Sequence, residues 1–178
     1  MKNSETRQRP ADPGQDLWHY ANALYAREGV ARACLHAQDA LGADVNLLLY
    51  AAWCAQLGQS LSAGDFAEAE QRCSVWRDTV VRPLRSQRRR WKGALERARE
   101  YSAIKQLELA AERAQLEMLA GLLSPAGELS LRAGRGSADD HGEAADRLHA
   151  NLVALAAHYA VTAAAFRDFE AALNAAQD

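Results

Sequence analysis

Residues 45–55 read VNLLLYAAWCA, a run in which Asn46 is the one strongly polar side chain. The segment Gly42-Ala43-Asp44 precedes the run and Gly58 follows it, so the run has the boundaries of a single helix. A helix that is apolar on all sides has to be enclosed by other elements. The run is also much shorter than the ~20 apolar residues of a membrane span. It therefore predicts a central, buried helix with other elements packed around it.

The composition of the whole chain indicates that the surrounding elements are helices as well. The 178 residues include 39 alanines but only 7 valines, 1 isoleucine and 3 threonines. Alanine is the best helix former, whereas strands favour β-branched residues. With 49% hydrophobic and 25% charged residues, the chain has the composition and length of one globular domain. The predicted fold class is therefore all-α.

We expect a compact bundle of about six helices that ends in a long antiparallel helical hairpin. Residues 1–11 predict a disordered leader, and residues 12–178 predict a single all-helical domain. Its compact part covers about 12–92 and its hairpin about 93–178, with a mobile loop at 124–142 that is rich in Gly, Ser and Asp. Pro83 predicts a kink or break between the two parts, because proline cannot donate a helical hydrogen bond. Helical spacing predicts the packed face of the first hairpin helix: Ile104, Leu107, Ala111, Ala114, Met118 and Leu122.

Three cysteines, Cys34, Cys54 and Cys73, lie on apolar faces of predicted helices and form no Cys-x-x-Cys pair. That placement favours buried, reduced thiols over disulfides or metal ligands. The first ten residues do not resemble a signal peptide, and no apolar segment has the length of a transmembrane span. We therefore expect a cytoplasmic protein without a membrane-inserted segment.

The most distinctive feature is a basic segment, residues 82–99, with eight basic residues and one acidic residue. The segment carries a net charge of +7 and the whole chain carries −2, so the remainder carries −9. Helical spacing places Arg82, Arg85, Arg89 and Lys92 on one face, where like charges repel one another by a few tenths of a kcal/mol per pair. Such a face indicates either an anionic partner or a solvated surface whose arginines pair with acidic residues of the same chain.

A second candidate site lies beside the central helix. A buried Asn46 amide must find hydrogen-bond partners, so it either bonds a neighbouring helix or lines a pocket. The structural role is the favoured interpretation. The residues of the possible pocket are Trp18, His19, Asp44, Asn46, Trp53 and Arg77, the last as an anion anchor.

Motifs for catalysis or cofactor binding are absent from the sequence. There is no Gly-rich phosphate loop, Ser/His/Asp set or Cys/His dyad. Aspartate and histidine occur three residues apart in three places, but the predicted core faces carry no glutamates to complete a metal site. We predict neither a cofactor nor a metal ion, and the sequence favours a protein that is not an enzyme.

Two stretches resemble a known family. They are residues 17–53, LWHYANALYAREGVARACLHAQDALGADVNLLLYAAW, and residues 76–92, WRDTVVRPLRSQRRRWK. Both are similar to a family of small, uncharacterised proteobacterial proteins catalogued as a domain of unknown function, and the GADVNLLLY and VVRPLR segments are the most specific part. The resemblance implies a compact, helical, cytoplasmic protein. It supplies no activity and no site residue.

These observations lead to two hypotheses about function. The first is a non-enzymatic interaction or adaptor protein whose basic face binds an anionic partner, either an acidic protein surface or an RNA-containing assembly. The second is a small-ligand-binding or enzymatic helical domain with a pocket beside the central helix. The C-terminal hairpin adds self-association as an alternative mode of partner binding.

Overall fold

The computed structural model describes residues 13–123 and 141–175, with side chains from Leu17 to Leu123 and from Glu143 to Ala175. These residues form helices and turns without a strand, which confirms the predicted all-α fold. The α-helices of the described ranges are α1 (Pro13–Tyr25), α2 (Val30–Leu41), α3 (Val45–Gln56), α4 (Ala63–Trp76), α5 (Arg82–Trp91), α6 (Ala98–Ala120), α7 (His141–His158) and α8 (Arg167–Asn174). The predicted leader at 1–11 and residues 124–140 of the predicted loop lie outside the described ranges.

Helix α3 lies at the centre of the protein, as its sequence predicts. Every residue from Asn46 to Ala55 is buried, and α1, α2, α4, α6 and α7 all pack against this helix. Asp44 caps its first turn, with extended backbone and a carboxylate that accepts the N–H of Asn46 at 2.9 Å. Because α3 has no side that faces solvent, its polar first turn is enclosed together with its apolar body.

Helices α4 and α5 are joined without a break, although Pro83 predicted a kink or break. One turn of π-helix, Arg77–Val81, connects them, and the N–H of Arg82 donates to the carbonyl of Arg77 five residues earlier. The π turn widens the helix just ahead of the proline ring, so the ring does not force the chain out of the helix. The chain leaves the helix instead at Gly93, whose φ of +87° is accessible to glycine at little cost.

Helices α6 and α7 are arranged differently from the predicted hairpin. Helix α6 packs chiefly on α1 and α5, whereas α7 packs chiefly on α3 and α4. The apolar surface of α3 is available on every side, so α6 and α7 bury apolar residues in the same core without pairing along their lengths. That core includes residues of every described helix except α5.

The buried face of α6 is rotated relative to the predicted apolar stripe. Leu107 of that stripe is 57% exposed, whereas Glu108 and Gln115 are buried. The prediction counted apolar residues alone. Two polar residues of this helix are buried because groups on other helices bond to them, and an apolar count does not identify such positions.

The C-terminal helix is also interrupted, where the sequence predicted one continuous helix. Helices α7 and α8 are bent by 117° relative to one another. Between them Ala160 has a φ of 55°, which is unfavourable for a residue with a β carbon. Within the described residues no single helix has the length and hydropathy to cross a membrane, and α7 with α8 passes that test only as a bent pair.

The three cysteines are free and buried, as predicted. Burial raises the pKa of the Cys34 and Cys54 thiols to about 12 and that of the Cys73 thiol to about 11. All three thiols are therefore protonated at neutral pH and behave as apolar members of the core.

We expect Gly93→Ala to lower the free energy of unfolding by about 1–2 kcal/mol, because a β carbon disfavours the positive φ of this residue. The space around Gly93 is open, so no steric clash adds to the effect. Gly121, with a φ of −60° and equally open surroundings, provides the control. Gly121→Ala should be neutral or should stabilise by up to ~1 kcal/mol. Urea unfolding measures both variants, and equal effects would contradict a left-handed conformation at Gly93.

Candidate functional site

Asp44 is the centre of a buried polar network at the start of α3. One carboxylate oxygen accepts the N–H of Asn46 at 2.9 Å, and the other accepts a hydrogen bond from the side-chain amide of Gln115 in α6. Burial raises the pKa of Asp44 above its usual value, although these two hydrogen bonds and the nearby Arg77 favour the charged form. The carboxylate depends on these donors because it is enclosed away from water.

Asn46 and Gln115 complete a closed ring of hydrogen bonds with Asp44. The Asn46 Nδ2 atom donates to Gln115 Oε1 at 3.0 Å and to the backbone carbonyl of Glu112 at 3.4 Å. Gln115 thus accepts from Asn46 while it donates to Asp44, and this pattern fixes the orientation of both amides. The ring joins the first turn of α3 to α6, which agrees with the structural role expected for Asn46.

Arg77 brings the π turn to the same network. Its Nη1 atom lies 2.6 Å from Glu70 Oε2 and 3.6 Å from Asp44 Oδ2, and its Nε atom lies 2.9 Å from Asp78 Oδ1. Burial by itself lowers the pKa of Arg77, but the hydrogen bonds to Asp78 and Glu70 outweigh that effect and raise it. The guanidinium is therefore a permanent charge with three carboxylates around it.

Tyr159, at the end of α7, reaches Asp44 from another direction. Its hydroxyl oxygen accepts the backbone N–H of Asp44 at 2.9 Å. Tyr159 precedes Ala160, the residue with the unfavourable positive φ. The turn after α7 therefore contains both this backbone conformation and a hydrogen bond to Asp44.

Three residues of the predicted pocket, Trp18, His19 and Trp53, take no part in this network, and its members outside the prediction include Gln115 and Tyr159. His19 is exposed and Trp53 lies in the core. Gln115 and Tyr159 were missed. The sequence signal for Gln115 was a polar residue among apolar neighbours of α6, but Tyr159 had none, because an aromatic residue in an apolar helix is already explained as core.

Arg85, predicted to face a partner, is held by residues of the same chain. Its Nε atom lies 3.1 Å from Glu108 Oε1, and its two other nitrogens bond Gln38 and Glu112. Arg88 also bonds Glu108, with its Nη2 atom 3.1 Å from Oε1. Glu108 is only 4% exposed, so two arginines balance one buried carboxylate.

The other residues of the predicted basic face remain at the surface. Arg89 bonds Asp39 at 2.8 Å, and Arg82 lies 3.0 Å from a carboxylate oxygen of Asp78. The hydrogen bonds from Arg89 and Gln38 hold the pKa of Asp39 below its usual value. Lys92 follows the end of α5 and is exposed. The predicted face is therefore divided, with Arg85 turned toward α6 and the others facing solvent.

A cleft of about 490 Å³, which we call the arginine cleft, separates α5 from the end of α2. The charged residues that line it are Arg82, Arg85, Arg89, Arg90 and Asp39. Arg90 was not part of the predicted face, and within the described residues it forms no ion pair. Arg85 is neutralised by Glu108 and Glu112 of α6, so Arg82, Arg89 and Arg90 with Asp39 give this cleft its positive charge.

A second cleft, of about 400 Å³, lies where α1, α2, α3, α5 and α6 meet, and we call it the apolar cleft. Its large apolar lining residues are Trp18, Tyr25, Leu35, Val45, Leu49, Leu109 and Leu116. Asn46 and the ion pair between Arg85 and Glu112 contribute polar groups. Trp18 and Asn46, both predicted pocket residues, thus meet here, and Arg85 lines both clefts.

We expect Gln115→Leu to destabilise the protein by about 2–4 kcal/mol, because it removes one hydrogen bond each from the buried carboxylate of Asp44 and the buried amide of Asn46. Gln106 is an exposed glutamine on the same helix, and Gln106→Leu should change the stability by less than ~0.5 kcal/mol. Chemical unfolding of both variants gives the comparison. Equal stabilities would show that the ring of hydrogen bonds contributes nothing.

A pH-dependent loss of stability is expected for Arg85→Met, by about 3 kcal/mol at neutral pH. Burial raises the pKa of Glu112, and Arg85 opposes that rise, so the variant raises this pKa further. A carboxyl whose pKa is higher in the folded than in the unfolded state favours folding when it is protonated. The deficit relative to the wild type should therefore shrink as the pH falls from about 8 to about 5. Arg90→Met is the control, because Arg90 pairs with no carboxylate in the described part of the chain. If the stability deficit of Arg85→Met did not change with pH, Arg85 would not be the group that lowers the pKa of Glu112.

A family model described as "Protein of unknown function (DUF2390)" matches residues 16–119. The match includes the GADVNLLLY and VVRPLR segments. The resemblance seen in the sequence ended at Lys92, whereas the family model continues through nearly all of α6. A search of curated proteins and a search of solved structures gave no match. Since the family model covers more than half of the chain, the protein belongs to the DUF2390 family.

Proposed function

We propose that this protein is a non-enzymatic interaction protein that binds an acidic surface of another protein at the arginine cleft. The observation that supports the proposal most directly is the composition of that cleft, where four arginines converge with a single carboxylate. Concave surfaces lined by one sign of charge concentrate and orient groups of the opposite sign. The acidic side chains of a partner would fit this charge pattern.

The arginines of the cleft are available to a partner at little cost. Arg82 is paired with Asp78 and Arg89 with Asp39, and the side chains of both pairs are about half exposed. Exposed ion pairs of this kind contribute about 0–1 kcal/mol, so carboxylates of a partner can replace them. Arg90 needs no exchange, because no acidic residue in the described part of the chain pairs with it.

Arg85 supports the proposal in a different way. Its bonds to Glu108, Glu112 and Gln38 hold the guanidinium in one place beside the cleft. A side chain that is already ordered loses less conformational entropy when a partner binds. The cleft therefore combines one rigid arginine with three adjustable ones.

The charge of the whole chain favours an acidic protein over RNA. The chain has a net charge of −2 and a pI of about 6.2, whereas nucleic-acid-binding domains are usually basic. The chain outside residues 82–99 carries a net charge of −9, which would repel an extended polyanion that passes beyond the basic segment. Trp91 is the one aromatic residue within the basic segment, too few for a stacking platform. A compact acidic patch needs to contact the cleft alone.

The double charge reversal Arg89→Glu/Arg90→Glu tests the proposal. In affinity capture from native lysate followed by binding measurements with the purified captured protein, we expect the variant to bind an acidic protein at least about tenfold more weakly than the wild type. Two reversed charges at an interface cost more than the ~1.4 kcal/mol that a tenfold change requires. Both arginines are exposed, so the thermal unfolding midpoint should change little.

The matched control is Arg72→Glu/Arg167→Glu, which changes the net charge equally at two exposed arginines outside the cleft. This control should bind like the wild type. Equal binding by both double variants would show that the arginine cleft is only a solvated surface. Capture that disappears after nuclease treatment would identify RNA as the partner and overturn the acidic-protein proposal.

A further inference from the structure

The apolar cleft gathers exposed apolar side chains at one place on the surface. Tyr25, Leu35 and Leu109 are 38%, 46% and 49% exposed, and all three line this cleft. Single exposed apolar residues are common on protein surfaces, but a group of them around one concavity is typical of a binding site. The volume of about 400 Å³ lies in the range of small-molecule sites.

Asn46 provides a polar group within this apolar lining. It is 6% exposed, and its amide nitrogen is identified by two acceptors, Gln115 Oε1 and the Glu112 carbonyl. Its side-chain oxygen has no hydrogen-bond partner among the described residues. Asn46 is itself one of the residues that line the cleft. The oxygen can accept a hydrogen bond from a molecule in the cleft.

The charges around the apolar cleft favour an anion. Arg85 and Arg88 are occupied by the carboxylates of Glu108 and Glu112. Lys105 also lines the cleft, is exposed, and has no carboxylate within ion-pair distance in the described part of the chain. The three cations and two carboxylates that line the cleft leave a net charge of +1, and Lys105 is the cation that is not paired with either carboxylate.

We infer that the apolar cleft binds a small amphipathic anion, with an aromatic or aliphatic body against Tyr25, Leu35 and Leu109 and a carboxylate or similar group at Lys105. The apolar lining accounts for most of the affinity, and Lys105 distinguishes an anion from a neutral molecule of the same shape. This inference does not depend on the acidic-partner proposal, because the residues that carry it are different. It develops the small-ligand alternative predicted from the sequence.

The test uses two fluorescent probes that differ in one sulfonate group, 1-anilino-8-naphthalenesulfonate and N-phenyl-1-naphthylamine. Titration of the full chain should give saturable binding of both probes at one site. The sulfonate probe should bind about two- to fivefold more tightly than the neutral one, as expected for one exposed ion pair. Lys105→Glu should abolish or reverse this difference and leave the neutral probe's affinity unchanged.

Leu35→Asp/Leu109→Asp should weaken binding of both probes at least about tenfold, because it places two carboxylates on the apolar rim. Val75→Asp/Val153→Asp is the matched control, since both valines are exposed apolar residues outside the cleft, 72% and 43% accessible, and this double variant should bind the probes like the wild type. All of these positions are exposed, so the variants are expected to fold, and circular dichroism checks this.

Several outcomes would overturn the inference. Binding that survives Leu35→Asp/Leu109→Asp would place the probes elsewhere, and equal affinity for the two probes would remove the preference for an anion. If sedimentation velocity shows a dimer that the same double variant dissociates, a second copy of the chain covers the cleft instead. Arg89→Glu/Arg90→Glu should retain probe binding, so failure of the acidic-partner proposal and failure of this one are distinguishable.

Discussion

The enclosure of α3 is the constraint on which the rest of the structure depends. Because this helix is apolar on every side, its first turn is buried with it, and the side chains of Asp44 and Asn46 come into the interior. A buried polar group without a partner costs about 1–3 kcal/mol. Gln115 of α6 and Arg77 of the π turn supply partners for these side chains, and Tyr159 just after α7 accepts the backbone N–H of Asp44. The need to satisfy these groups therefore positions three other elements around the start of α3.

The same requirement explains why α5 remains attached to the protein although none of its residues is buried. Arg85 and Arg88 bond Glu108 of α6, and the remaining arginines face solvent. Two of the like charges in this helix are thereby neutralised, which relieves the repulsion expected of an arginine-rich face. One short helix thus contributes both an internal ion-pair cluster and the wall of an exposed cleft.

The two clefts share Arg85, but the residues on their rims belong to different surfaces. The arginine cleft is defined by exposed cations, and the apolar cleft by exposed apolar side chains around a polar floor at Asn46. Asn46 and Arg85 also hold the fold together, so their substitution would change stability together with any binding. The rim residues carry no such double role. All described lining residues of both clefts lie within the range matched by the family model.

The sequence by itself determined the all-α fold, the central position of α3 and the burial of the cysteines, because helix propensity and an apolar run are local properties. It located the basic segment and the polar residue in α3, but it left open which way the arginines face and what Asn46 meets. The sequence predicted a kink or break at Pro83, but a π turn carries the helix through the proline and the chain leaves the helix at Gly93. Only the tertiary structure decided that Glu108 and Gln115 are buried. The cost of removing these groups from water is offset by partners distant in the sequence, and no local pattern reports where such partners lie.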